Sequence, residues 1–241
     1  MKPVKLVVLD MAGTTVMDRH EVEFCFKKAA TKNGLNASDE RILALQGYAK
    51  LQVFRMLWTE QLGQEDPRIE RFAQQSYVDF KDILENYYRT NPIYPTEGCE
   101  ELFAYLHKHN IGIALTTGFY RQVANIILEK LGWLQSLHEG YINLENTSGI
   151  HLSVTPDEVV GEGRPSPKMI QYAMEKFGIT DPQEVINIGD TPVDLAFGKN
   201  AQVRLALGVC NGTHSRSQLE GHPNDGLLDK ISDLITLIDQ L

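Results

Sequence analysis

The stretch LVVLDMAGTTV, residues 6–16, decides the fold. Its first half is short, unbroken and rich in β-branched residues, as in a strand buried on both faces of a parallel sheet. The strand delivers Asp10 onto a turn of small residues, Ala12 to Thr15. IGIALTT (111–117), VINIG (185–189) and VRLALGV (203–209) have the same character, and IHLSV (150–154) is a weaker candidate. Helical patterns lie between them. EGCEELFAYLHKHN (97–110) repeats apolar residues at Leu102, Phe103 and Leu106; RQVANIILEKLG (121–132) and SPKMIQYAMEKFG (166–178) each end at a capping glycine. Strands alternating with helices predict an α/β fold with a doubly wound parallel sheet.

Residues 18–93 break that rhythm. HEVEFCFKKAATKNG (20–34), LQVFRMLWTEQLG (51–63) and FAQQSYVDFKDILENYYRT (72–90) are helical patterns, and SDERILALQG (38–47) is a shorter one that starts at Ser38 and stops at Gly47. The expected organisation is a core of 1–17 and 94–241 with a helical cap, 18–93, inserted after the first strand. Pro92 and Pro95 forbid a continuous helix at the return. Crossings near Val16–Asp18 and Asn91–Pro95 would hinge the cap and let it close over the sheet.

The composition narrows the function. The 241 residues are 42% hydrophobic and 23% charged, ample for a buried core. A net charge of −9 without a basic patch disfavours nucleic acid. Cys25, Cys99 and Cys210 fit no zinc or disulfide spacing and read as free thiols of a cytoplasmic protein. No signal-peptide layout and no apolar run near the ~20 residues of a membrane span are present.

Ligands of open α/β sheets bind outside the carboxyl ends of the strands. Asp10 falls at that edge. So do Thr116, Thr117 and Gly118, the GEGRP run (161–165), and GDTPVD (189–194) with Asp190 and Asp194. Each piece alone has an ordinary reading as a turn, a cap or a solvated cation; their joint order does not. Paired carboxylates beside a carboxylate nucleophile suit Mg²⁺, an oxygen-seeking ion. An arginine and a threonine hydroxyl would complete a phosphoryl-binding site.

In the motifs DMAGTTV, LTTG, GRPSP and GDTPVD the chain resembles the haloacid dehalogenase superfamily over nearly its whole length. The resemblance implies that Asp10 is a nucleophile forming an aspartyl-phosphate. It implies that Thr117 and the Gly118 backbone hold phosphoryl oxygens, and that Arg164 stands where a lysine is common. Asp190, Asp10 and the Ala12 carbonyl would hold Mg²⁺, with Asp194 a further ligand or a neighbour of the ligands. Most phosphatases of the superfamily carry a second aspartate at the position of Ala12, to protonate a leaving oxygen. Asp-x-Ala-Gly-Thr-Thr instead resembles the phosphonoacetaldehyde hydrolases. There a cap lysine forms an iminium with the substrate aldehyde, and the leaving group is carbon. Lys50, three residues after Gly47, matches the family's Gly-x-x-Lys. Departures occur at Gln46 (family methionine), Val53 (family histidine) and Phe119 (family tyrosine, here displaced to Tyr120). Gln46, Gly47, Gly118 and Phe119 are expected to shape the substrate pocket.

Lys50 has two other readings, a solvated surface charge or a phosphate contact on the cap. Three functions follow: a phosphonatase acting on a small phosphonate, a phosphomonoesterase, and a ligand-binding protein on a hydrolase scaffold. The resemblance also implies a possible homodimer through the first cap helix, though Phe24 and Phe26 there could equally be cap core. Residues 134–153 match nothing in the family, and His138 and His151 within them read as surface or loop residues.

Overall fold

The computed structural model describes residues 2–241. In chain order, β1 is Leu6–Asp10, α1 Glu21–Lys32, α2 Asp39–Ala44, α3 Lys50–Leu62 and α4 Ile69–Thr90. Then come α5 Cys99–Lys108, β2 Gly112–Thr116, α6 Arg121–Lys130, β3 Leu152–Val154, α7 Lys168–Lys176 and β4 Val185–Gly189. The chain ends with α8 Pro192–Asn200, β5 Leu205–Val209, α9 Arg216–Glu220, β6 Gly226–Leu228 and α10 Asp233–Asp239. Among the described residues six strands form one parallel sheet in the order β3-β2-β1-β4-β5-β6. The doubly wound expectation holds.

Every residue of β1 is buried, and the strand uses both of its faces. Leu6 and Val8 join Ala114, Met169, Ile170 and Phe197 under α7 and α8. Val7 and Leu9 point into a larger cluster that includes Leu102, Val123 and the inserted helices. The chain winds outward from β1 to β2 and β3, then returns to the other side as β4 to β6. Strand order therefore reverses at β1, which puts Asp10 at the crevice where such sheets bind ligands.

Helices α1 to α4 all lie between β1 and α5 in the chain, as the broken rhythm predicts. Three of them, α1, α3 and α4, share an aromatic centre: Phe26 stacks on Phe54 at 4.1 Å, and Phe80 meets both edges-on or tilted at 5.6–5.9 Å. Phe26 is thus core, whereas Phe24 is exposed. The two crossings are tied together. Met17 N–H donates to the Tyr94 carbonyl at 2.9 Å, Thr96 N–H to Thr15 at 3.0 Å, and Val16 bridges Pro95 as an antiparallel pair.

The sequence reading has no counterpart for β6, α9 or α10. His151 is a loop residue, as expected, but a buried one. Its Nδ1 accepts the Ile113 N–H at 3.1 Å, and its ring lies 4.6 Å from that of His107. His138 is exposed. No helix among the described residues is long and apolar enough to cross a membrane.

Candidate active site

The site assembles at the carboxyl ends of β1, β2 and β4. Asp10 ends β1 and lies in register with Thr116 of β2. The turn behind Asp10 is wound tightly: the N–H groups of Thr14, Thr15 and Val16 all reach the Met11 carbonyl, and Thr15 Oγ1 donates to the Asp10 carbonyl at 2.8 Å. Gly13 sits there with φ +88°; a Cβ on it would fall 2.2 Å from the Asp190 carboxylate. Only glycine allows that approach.

Arg164 reaches in from the loop before α7 and is fully buried. Its Nη1 lies 2.5 Å from Asp10 Oδ1 and 2.6 Å from Asp194 Oδ1, and its Nη2 donates to Thr116 Oγ1 at 2.7 Å. The guanidinium rests over the Phe197 ring. Its Nε has no hydrogen-bond acceptor among the described residues. A buried donor left unpaired at such a place is a ready contact for an incoming anion.

The two aspartates of GDTPVD divide their work. Asp194 Oδ2 accepts the Thr191 N–H at 3.0 Å and the Thr191 hydroxyl at 2.6 Å, closing a capping box on α8, while Oδ1 faces Arg164. Asp190 accepts from Thr14 Oγ1 at 3.2 Å and from Thr213 N–H and Oγ1 at 2.7 and 2.6 Å. One oxygen from each of Asp10, Asp190 and Asp194 lies within 4.8 Å of the others. Burial pushes Asp10 up to about 8, with Arg164 pulling it down and Asp194 and Asp190 pushing it up. Burial, then repulsion from Asp194, raises Asp190 to about 6. Three hard oxygen donors this close carry more negative charge than Arg164 offsets. That donor set fits a divalent cation of the Mg²⁺ type.

The helical block closes the site from above. One cavity is lined by Asp10, Ala12, Gln46, Gly47, Lys50, Thr117, Gly118, Phe119 and Arg164, so every pocket residue expected from sequence meets there except Asp190 and Asp194, which stand behind it. Asp18, Val22, Thr191 and Thr213 complete its wall. Thr117 Oγ1 accepts the Phe119 N–H at 3.1 Å, and buried Phe119 packs edge-on against Tyr88. Tyr120 is absent from the wall and donates to Glu85 at 3.0 Å.

Lys50 begins α3 and is 7% exposed, which rules out a solvated surface charge. Its Nζ lies 3.5 Å from Gln46 Oε1. Burial lowers its pKa to about 8, against the pull of Asp10 and Asp18. A position in the first turn of a helix, where the macrodipole is positive, also favours the neutral amine.

The seam between block and core is built on glycines. A Cβ on Gly118 would sit 2.8 Å from the Gly47 carbonyl and 3.0 Å from that of Tyr48; one on Gly47 (φ +84°) would sit 2.7 Å from Thr191 Oγ1. The cavity measures about 30 Å³, room for only a few waters. Sequence reasoning missed Thr14, Asp18 and Thr213. The only signal for Thr213 was its place after the strand 203–209, in a small-residue loop like those at the other strand ends.

The haloacid dehalogenase-like hydrolase model matches residues 4–202. The phosphonoacetaldehyde hydrolase of Latilactobacillus sakei subsp. sakei is 28% identical over 251 residues, covering 97% of this chain and 87% of that protein. A phosphonoacetaldehyde hydrolase-like protein from Oleispira antarctica superposes with a TM-score of 0.77 at 18% identity, over 99% of this chain and 92% of its own. A hydrolase from Pseudomonas syringae does so with 0.76 at 21%, over 98% and 99%. Because the family match runs from the start of β1 to the end of α8, through every strand that carries the acid cluster, the chain belongs to the haloacid dehalogenase-like hydrolases.

Proposed function

We propose that this hydrolase cleaves the carbon–phosphorus bond of phosphonoacetaldehyde or a closely related small phosphonate. The observation that supports it most is Lys50, buried with a lowered pKa in the same cavity as Asp10, while position 12 carries no acid. An alkoxide leaving group gains ~10²–10⁴-fold from a positioned proton donor. A carbon leaving group needs an electron sink instead. The neutral Lys50 amine condenses with the substrate aldehyde, and the iminium accepts the electron pair of the C–P bond as Asp10 takes the phosphoryl group. Arg164 neutralises the phosphoryl oxygens, with its unpaired Nε available for one of them. Thr117 and the Gly118 backbone hold the others. Water then hydrolyses the aspartyl-phosphate.

Mg²⁺ would be held by Asp10, Asp190 and the Ala12 carbonyl, and would neutralise charge on the transferring phosphoryl group. Asp194 acts one step back, holding Arg164. Residues 18–93 serve as a cap that opens for substrate and closes to exclude water.

The test is reductive trapping. Phosphonoacetaldehyde with borohydride leaves an ethyl-sized adduct on Lys50, found by peptide mass spectrometry, and Lys50→Ala gives no adduct and no turnover. Full activity in Lys50→Ala refutes the reading. A phosphomonoesterase is the second reading, favoured by Val53, a buried apolar residue where the related hydrolases carry histidine. Turnover of phosphate esters that survives Lys50→Ala would select it.

A further inference from the structure

Imine chemistry needs an acid as well as an amine. The carbinolamine formed when Lys50 adds to an aldehyde loses its hydroxyl as water only if that oxygen is protonated. Val53 is buried and has no ionisable proton to give. The ionisable groups on the cavity wall are Asp10, Asp18, Lys50 and Arg164. Arg164 stays charged at any working pH. Asp10 acts as a carboxylate and faces Arg164 at 2.5 Å. Lys50 is the amine itself. Asp18 is the group that remains.

Its setting suits the task. Asp18 stands on the crossing between β1 and α1, half-buried, with Oδ1 accepting the His20 N–H at 2.8 Å. Glu21 lies close enough to disfavour its negative form, and Glu21 Oε2 accepts the Arg19 N–H at 2.5 Å. Burial, then Glu21, pushes Asp18 up to about 8. An acid that holds its proton up to about 8 and an amine that releases its own near the same pH share one cavity wall, the arrangement by which one pocket runs acid and base chemistry together.

We propose that Asp18 is the general acid–base of the imine cycle, giving its proton to the carbinolamine hydroxyl and taking one back when the iminium is hydrated. The proposal rests on the reading of Lys50 as the iminium-forming residue. In the forward step the C–O bond breaks, water leaves, the nitrogen lone pair forms C=N⁺, and Asp18 becomes a carboxylate. C–P cleavage leaves an enamine, whose carbon takes the proton released when water hydrolyses the aspartyl-phosphate and so becomes an iminium again; in the closing step water adds to that iminium, Asp18 accepts the proton that water sheds, and the acid is restored.

The experiment compares wild type with Asp18→Asn, which keeps the acceptor for His20. Three quantities are read: the rate of borohydride trapping at Lys50 with phosphonoacetaldehyde, kcat against KM, and Tm. Trapping rate and kcat fall by about 10²-fold with KM and Tm little changed. Asp18→Glu, which keeps a carboxyl on a longer arm, recovers part of both. Trapping by Asp18→Asn at the wild-type rate overturns the acid role and leaves Lys50 intact. So does a full loss in Asp18→Glu at wild-type Tm. Absence of any adduct in wild type overturns the Lys50 reading, and the Asp18 proposal with it.

Discussion

Gly118→Ala tests whether the closed seam is the working state. Gly118 has no positive φ, so alanine brings no backbone strain. The added Cβ meets only the block: the Gly47 carbonyl at 2.8 Å and the Tyr48 carbonyl at 3.0 Å, where ordinary contact begins near 3.4 Å. Both neighbours are backbone atoms and cannot rotate away. Block and core must therefore separate by roughly half an ångström. Overpacking of this kind costs ~1–3 kcal/mol, here charged to the closed state alone. At a factor of ten per 1.36 kcal/mol, the ratio of closed to open molecules falls by ~5–150-fold. The assay is kcat/KM for phosphonoacetaldehyde, with Tm as the control for folding. We expect kcat/KM to fall within that range while Tm barely moves. Gly163→Ala is the graded comparison. Its Cβ would lie 3.3 Å from the Ala49 Cβ, a contact relieved by a few tenths of an ångström, and it should lose less than about threefold. Wild-type kcat/KM in Gly118→Ala, or a larger loss in Gly163→Ala, refutes the seam argument.

Other expectations are simpler. The trapping rate at Lys50 should rise with pH toward about 8, as the amine loses its proton, and fall above it, as Asp18 loses the proton it gives; a flat profile from pH 6 to 9 contradicts this. Arg164→Gln strands the Asp10 and Asp194 carboxylates and should destabilise by ~3–5 kcal/mol, read by urea titration. Phe54→Ala removes the middle ring of the aromatic centre and should cost about 3–5 kcal/mol in the same measurement. His151 is held well below its ordinary 6.5, at about 4, chiefly by burial and then by His107. As pH falls below 6.5 the unfolded chain takes up a proton that the folded one refuses. Stability should thus drop by about 3 kcal/mol by pH 4, a loss that His151→Gln should remove from the acid limb.

Much of this was legible because the chemistry sits at strand ends. Asp10, Thr117 and Asp190 each follow an apolar run, so reading the strands located them. Arg164 was legible only through the motif around it, and its contact with Thr116 Oγ1 was not, since the hydroxyl looks like the last residue of a buried strand. Asp18 was unreadable for a different reason: a lone acid in a crossing gains meaning only when Lys50 arrives from the other side of the cavity. Asp194 was read as a further metal ligand or a neighbour of the ligands; its oxygens meet Thr191 and Arg164, and one stands within 4.8 Å of an oxygen of Asp10 and of Asp190. Strand β6 left no signal because its three half-buried residues pair on one edge alone. His151 looked ordinary because burial comes from His107 and Phe177, distant in sequence.

The hydrogen-bonded crossings have a consequence for how the chain folds. Strand β1 pairs with β2 across the whole of α1 to α5, a contact whose loop closure would be slow for a flexible chain. The ribbon of Thr15 to Met17 against Tyr94 to Thr96 shortcuts that distance. Once α1, α3 and α4 collapse on their aromatic centre, the two ends of the block emerge side by side. The remaining search from Thr96 to β2 is that of an ordinary β-α-β unit. The inserted helices would thus speed the formation of the sheet they interrupt.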